Sequence, residues 1–440
     1  MKRFIWSQLL QWKNKSDRKP LILRGVRQVG KTYILRSFAK ANFPTVHYIN
    51  FEKEEQLISI FDIDLSPVRI LKELSFHLNQ PIDIKHDIII FDEIQNAPKA
   101  LTSLKYFYEE MPEMAICSAG SLLGLHLGNE AFPVGKVDFL ELYPFSFSEF
   151  LRGIGDQQSY IFLKDYKKGQ TVSDHIHKHL WEQLKIYFIV GGLPEVINTY
   201  SSHKDNLFSS LELVRKKQND LILAYTADMA KHSGKQNAMH LERLFKNIPA
   251  QLAKEQNFSV SRFKFKGIIP GINRYSRLAG SIDWLINTGL AIKSNIVNHC
   301  ELPFSAYTKE SFFKLYIFDP GILGALSDLP PKTILGYDYG SYKGYFAENY
   351  AACEFKCFGN KNLFSWQENT AEVEFVREID GSIFPIEIKS GNITQAKSLK
   401  VFADKYSPPY RTIMSAKKPF FDDTNKIHQY PLYLASRFPL

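Results

Sequence analysis

Cysteine is scarce: Cys117, Cys300, Cys353 and Cys357 are the four in a chain of 440 residues. So few thiols make no disulfide framework in a chain this long, and reduced cysteines fit a cytosolic protein. Cys353 and Cys357 would share one helical face, but no histidine or second cysteine pair joins them, which argues against zinc. Long apolar runs are missing too. No window approaches the uninterrupted apolar length that a membrane span needs, so no membrane association is expected. The opening stretch MKRFIWSQLLQWKNKSDRK has two early basic residues, but its apolar part is short and broken by Gln and Lys. It lacks a small-residue cleavage site and reads as an amphipathic helix rather than a signal peptide, so the expected location is the cytoplasm. There is no internal repeat and no low-complexity tract. Nor is charge of one sign concentrated: the net +9 is spread, which permits nucleic-acid or other anionic partners without demanding them.

What is present is the composition of a globular protein, 45% apolar and 23% charged. The length implies two or three domains. The most informative stretch is KPLILRGVRQVGKTYI, in which a short apolar run leads into Gly25, Val26, Arg27, Gln28, Val29, Gly30, Lys31 and Thr32. This spacing fits G-x-x-x-x-G-K-[ST], a loop whose glycines let backbone N–H groups close around phosphate oxygens ahead of a helix N-terminus. Lys31 would reach the β- and γ-phosphates of ATP, and Thr32 would offer its hydroxyl to Mg²⁺.

A second stretch, DIIIFDEIQN, supports the first. Its continuous apolar run predicts a buried parallel strand ending in Asp92 and Glu93. Carboxylates at the C-terminal end of such a strand lie where α/β sheets bind ligands. Asp92 would hold Mg²⁺, and Glu93 would polarise the water that attacks the γ-phosphate. Further strands are expected over Val46–Phe51, Met114–Ser118 and Val137–Leu142, giving five in a parallel, doubly wound sheet. A polar group after the fourth strand could touch the γ-phosphate or the water. Ser121 is the first candidate and Ser118 the second, and helix capping is the competing role for either.

Together GVRQVGKT, IIIFDEIQNAP, AGSLLG, FPVGKV, LYPFSFSEFL, GGLPEVI and FFKLYIFDPGIL resemble a family of prokaryotic AAA-type ATPases. That family joins a P-loop domain to a C-terminal domain of unknown function. The resemblance covers nearly the whole chain and implies an α/β fold, ATP and Mg²⁺ as cofactors, and ATP hydrolysis. It also implies a nucleotide contact for Pro194 in Gly192-Leu193-Pro194, with a plain helix-capping Gly followed by Pro as the alternative. Where many relatives have Gly-Arg, this chain has Gly135-Lys136, which leaves an arginine finger from that position in doubt.

Four domains are expected: an AAA-type core over 1–150, a helical lid over 151–235, a winged-helix-like domain over 236–310, and a restriction-endonuclease-like α/β domain over 311–440. WLINTGLAIKSNIV resembles the last helix and wing of a winged helix, and Arg243, Lys246, Lys254, Arg262, Lys264, Lys266, Arg274 and Arg277 give that region its basic character. DNA contact and a merely solvated face both remain open. So does an approach of Arg274 or Arg277 to a neighbouring subunit's nucleotide, should the protein form an oligomer. In the last region Glu348 lies on an expected helix, Glu374 on a strand, and Glu387 and Lys389 on the next. That order resembles the restriction-endonuclease-like core, in which carboxylates hold Mg²⁺ and a lysine orients water or steadies charge on phosphate. Three functions follow: an ATP-driven switch or motor with a C-terminal effector, an ATP-gated DNA-processing nuclease, or a protein-binding module that keeps ATP unhydrolysed.

Overall fold

A computed structural model describes residues 3–120, 133–256, 262–336, 342–391 and 397–440. The chain divides into two compact units, residues 2–143 and residues 144–440. Among the described residues no helix is long and apolar enough to cross a membrane.

The first unit is built on β1 (Leu21–Arg24), β2 (Val46–Asn50), β3 (Ile88–Asp92), β4 (Ala115–Ala119) and β5 (Asp138–Glu141). All neighbouring pairs are parallel, in the order β2-β3-β4-β1-β5. Every residue of β3 is buried, as its unbroken apolar run requires of a strand covered on both faces. Against one face the rings of Phe51, Phe61 and Phe91 meet with centroids 5.5–5.9 Å apart, in a core shared with Ile70, Leu74, Leu101 and Leu104. The N-terminal segment forms the expected helix, Ile5–Lys13, which buries Ile5, Leu9 and Trp12 along one stripe.

The second unit starts with helices. Phe147–Gly153 opens with a capping box between Ser146 and Glu149, and helices Asp174–Val190, Pro194–Ser202, Leu207–Ser233 and Lys235–Gln256 follow. After them come β6 (Ala291–Val297), β7 (Thr308–Ile317), helix Tyr342–Cys357, β8 (Leu363–Glu368), β9 (Ala371–Ile379) and β10 (Ser382–Ile388). Helix Lys397–Tyr406, β11 (Arg411–Ser415), β12 (Phe420–Asp422) and β13 (Ile427–Pro431) follow. The eight strands form one sheet, in the order β12-β13-β11-β10-β9-β8-β6-β7.

Two expected boundaries fall inside regular elements. The 310/311 division falls inside β7, and the antiparallel β6–β7 pair joins the C-terminal strands through parallel pairing of β6 with β8. The β6–β7 pair, expected as part of a winged helix, therefore belongs to the C-terminal sheet, because the free edge of β6 satisfies its backbone groups against β8 rather than water. The 150/151 division likewise falls inside helix Phe147–Gly153. The compact units part instead between residues 143 and 144.

Candidate functional site

The glycine-bounded loop joins β1 to helix Lys31–Asn42, the strand–loop–helix order expected of it. As the chain leaves β1, Leu142 N–H donates to Arg24 O at 2.8 Å. A Cβ on Gly25 would collide with the Leu142 carbonyl oxygen, so only glycine fits there. Gln28 and Gly30 both adopt positive φ, 64° and 95°. Such alternation curls the loop so that its N–H groups turn to one side, the geometry of an anion nest. Arg3 fixes the loop from outside, donating to Val29 O at 3.5 Å and to Tyr143 O at 2.6 Å.

Lys31 is buried, and its Nζ donates to the carbonyls of Gly25 and Val26 at 2.8 and 2.9 Å. Burial pulls its pKa down to about 8, against the opposing pull of Glu93 and Asp92. Thr32 Oγ1 donates to Asp92 Oδ2 at 2.8 Å. This brings together the hydroxyl and the carboxylate that the sequence assigns to one metal ion. Glu93 follows in the left-handed region at φ 52°, a strained conformation for a non-glycine residue. Gln95 Nε2 donates to Glu93 Oε2 at 2.5 Å and so holds its carboxylate.

The structure adds residues that the sequence reading passed over. Tyr48 OH also donates to Asp92 Oδ2, at 2.7 Å, and Asn50 Nδ2 donates to Tyr48 OH at 3.2 Å. The Arg36 guanidinium lies 4.7 Å from the Tyr48 ring centroid. Burial raises the Tyr48 phenol to about 12, with Asn50 lowering it and Asp92 raising it, so it stays a donor. Polar residues at alternate positions of an otherwise buried strand were the available signal, since β2 pairs with β3 with Asn50 opposite Asp92. Ser118 is placed differently from its candidate role. It aligns with Phe91 and Ile22, so it shares their face of the sheet and not that of Asp92. Ser121 lies outside the described residues.

The donor set fits Mg²⁺ with a nucleoside triphosphate. It offers a hydroxyl and a carboxylate within one hydrogen bond of each other, a buried lysine and a glycine-lined loop at the ends of parallel strands. Those features define a P-loop nucleotide-binding domain.

One family model agrees with this class. Residues 17–151 match the model of an AAA domain. Residues 181–333 and 343–433 match two domains of unknown function, DUF8612 and DUF4143. No curated protein shows significant similarity to the chain. Among solved structures, the Walker-type ATPase PABY2304 of Pyrococcus abyssi is 16% identical, with 74% of this chain and 95% of that one covered at a TM-score of 0.47. Drosophila ORC bound to DNA is 15% identical, with 76% and 95% covered and a TM-score of 0.30. The Thermotoga maritima RuvB Holliday junction branch migration motor is 12% identical, with 68% and 88% covered and a TM-score of 0.31.

In the second unit the motifs GGLPEV, LYPFSFSEF and FDPGIL meet. Gly192 N–H donates to Asp319 Oδ2 at 2.6 Å, and Gly192 O accepts Phe145 N–H at 2.7 Å. A Cβ on Gly192 would strike the Phe145 carbonyl oxygen. Asp319 Oδ1 caps the helix Pro320–Leu326 through Ile322 N–H at 2.9 Å. Burial pushes the Asp319 carboxyl up to about 6, against the lowering effect of its backbone donors. Glu354 accepts Phe147 N–H at 2.8 Å, and burial raises it to about 8. This packing accounts for Gly192 on structural grounds. Pro194 occupies the first turn of its helix.

The candidate nuclease-like residues are also neighbours. Glu374 and Glu387 lie one step beyond the Ile386–Phe375 pair of β9 and β10, and Glu374 Oε2 accepts Ile388 N–H at 3.1 Å. Lys389 Nζ pairs with Glu387 Oε1 at 2.5 Å. Lys314 of β7, absent from the expected set, reaches Glu372 at 2.5 Å and Glu348 at 3.5 Å. A lone lysine inside the apolar run FFKLYIF was its signal in the sequence. Among the described residues no group of three or more His, Cys, Asp or Glu side chains is arranged to hold a metal ion. Part of the basic surface is engaged internally: Lys246 pairs with Glu242 at 2.6 Å, and Arg262 lies 3.9 Å from the Phe312 ring centroid.

Proposed function

We propose that this protein is a Mg²⁺-dependent ATPase in which nucleotide state in the first unit controls the second unit as an effector. One observation carries the reading: Thr32 and Asp92 share a hydrogen bond of 2.8 Å beside Lys31 at the ends of parallel strands. On nucleotide binding, the Lys31 ammonium exchanges the Gly25 and Val26 carbonyls for phosphate oxygens, a stronger charge-assisted partner. Thr32 and Asp92 would hold the metal ion, which would supply charge neutralisation at the β- and γ-phosphates. Glu93, steadied by Gln95, orients the attacking water and accepts its proton. Pro194, the Ser121 segment and an oligomer's arginine are candidate nucleotide contacts of the closed state.

The test is paired. Lys31→Ala is expected to weaken ATP binding by about a hundredfold, or about 2.7 kcal/mol. Glu93→Gln is expected to keep ATP affinity but lower turnover by about a hundredfold or more. Turnover in Glu93→Gln equal to wild type would refute hydrolysis at this site, and tight binding without phosphate release in wild type would favour the protein-binding module.

A second reading concerns the end of the chain. A helix, three antiparallel strands, a helix and a strand parallel to the third follow one another from Tyr342 to Ser415. That order supports a restriction-endonuclease-like fold for the effector, and DNA as its partner. ATPase rates with and without single- and double-stranded DNA test the partner, and stimulation by neither would remove DNA from the scheme.

A further inference from the structure

The acidic cluster beneath the large sheet would need a cation if it worked as a metal nuclease, and the chain supplies one of its own. Glu348, Glu374 and Glu387 converge there with Glu372, and Glu348 and Glu387 are about 95% buried. Lys314 is 2% exposed on β7, a strand outside the helix-and-strand order of the nuclease-like fold. It has no route to solvent, so its ammonium must find its counter-charge inside, and it does so on Glu372 and Glu348 at 2.5 and 3.5 Å. Tyr316 OH, two residues along β7, donates to the same Glu348 oxygen at 3.4 Å. Lys389 takes Glu387 Oε1, and one Glu374 oxygen takes a backbone N–H. A buried atom left without a partner is Glu387 Oε2.

We propose that Lys314 is the resident cation of this cluster: its ammonium, held by Glu348 and Glu372, supplies the positive charge that a divalent metal ion would otherwise bring. The residues therefore do not fit the metal that the fold implies, and the domain is a nuclease-like scaffold neutralised from within. A second cation at Glu348 would face Lys314 repulsion and would have to break a buried ion pair. The assignment rests on the nuclease-like reading of this fold and is independent of the nucleotide site.

The experiment is a Mn²⁺ titration of the nucleotide-free full chain, followed by electron paramagnetic resonance. Wild type and Glu387→Gln are expected to give the same titration. Lys314→Met, of similar length and no charge, is expected to gain a Mn²⁺ site about tenfold tighter than any in wild type, lost again in the Lys314→Met/Glu387→Gln double variant. A wild-type Mn²⁺ site that disappears in Glu387→Gln would overturn the role of Lys314 while favouring a metal nuclease. A folded Lys314→Met protein that gains no site would overturn both the role and the nuclease-like reading. Should Lys314→Met fail to fold, the wild-type and Glu387→Gln titrations decide alone.

Discussion

Two lysine–carboxylate assemblies, one in each unit, use the same residue types toward opposite ends. In the small sheet Lys31 rests on main-chain carbonyls, while Asp92 is held by the neutral hydroxyls of Thr32 and Tyr48. In the large sheet Lys314 and Lys389 are each bound directly to glutamates. The pKa directions follow. Burial dominates at Lys31 and lowers it to about 8. At Lys389 burial also pulls downward, but Glu374, Glu387 and Glu348 outweigh it and the net direction is up. A lysine held against burial without a neutralising partner is poised for an external anion. A lysine already neutralised is part of the architecture. Residue type alone does not separate a ligand site from a structural ion pair, whereas the lysine's partner does.

Stability separates the two most strongly. Lys314→Ala leaves buried glutamates without their counter-ion and should destabilise the protein by about 3–5 kcal/mol, read as a lower urea midpoint. Lys31→Met removes an ammonium that burial disfavours, and should be neutral or stabilising below pH 8. The shift from 10.5 to about 8 at Lys31 corresponds to about 3 kcal/mol held against its charged form. Equal destabilisation by both variants would break the comparison.

The pH response sharpens it next. Because the folded pKa of Lys31 lies below its unfolded value, the unfolded chain binds more protons between about 8 and 10.5. The destabilising effect is complete below pH 8 and vanishes above 10.5. Bound phosphate favours the ammonium and raises its pKa again. ATP affinity is therefore expected to fall as pH rises through about 8, by about tenfold per unit. Calorimetry near pH 8.5 in buffers of different ionisation enthalpy should show proton uptake on binding, and no uptake would place the Lys31 transition elsewhere.

The smallest effect belongs to Tyr48. Tyr48→Phe removes one donor from Asp92 and should raise the Mg²⁺ concentration for half-maximal ATPase by an amount worth about 0.5–1.5 kcal/mol. Turnover at saturating Mg²⁺ and the urea midpoint of the second unit should stay as in wild type. An unchanged Mg²⁺ requirement would reduce Tyr48 to packing.

Much of the candidate nucleotide site's arrangement is legible in sequence because its information is local. The loop, Lys31 and Thr32 are consecutive, Asp92 and Glu93 end an unbroken apolar run, and the five strands lie within a residue or two of their expected bounds. What escaped depends on which strands become neighbours. Tyr48 meets Asp92 only because β2 pairs with β3. Lys314 meets Glu348 and Glu372 only because β7 follows β6 onto the edge of β8. Periodicity reports which face of a strand is buried, but not which strand lies beside it. WLINTGLAIKSNIV suggests a helix followed by a wing, whereas the incorporation of β6 into a larger sheet is not legible.

The pairing of β6 with β8 limits how this protein can be dissected. A fragment that begins at the DUF4143 match, residue 343, would lack β6 and β7. It would expose the edge of β8 as a template for aggregation and lose the lysine that neutralises its acidic cluster. Autonomy in this chain therefore begins upstream of the wing, and expression boundaries should follow the hydrogen-bonded sheet rather than the reach of a recognisable family.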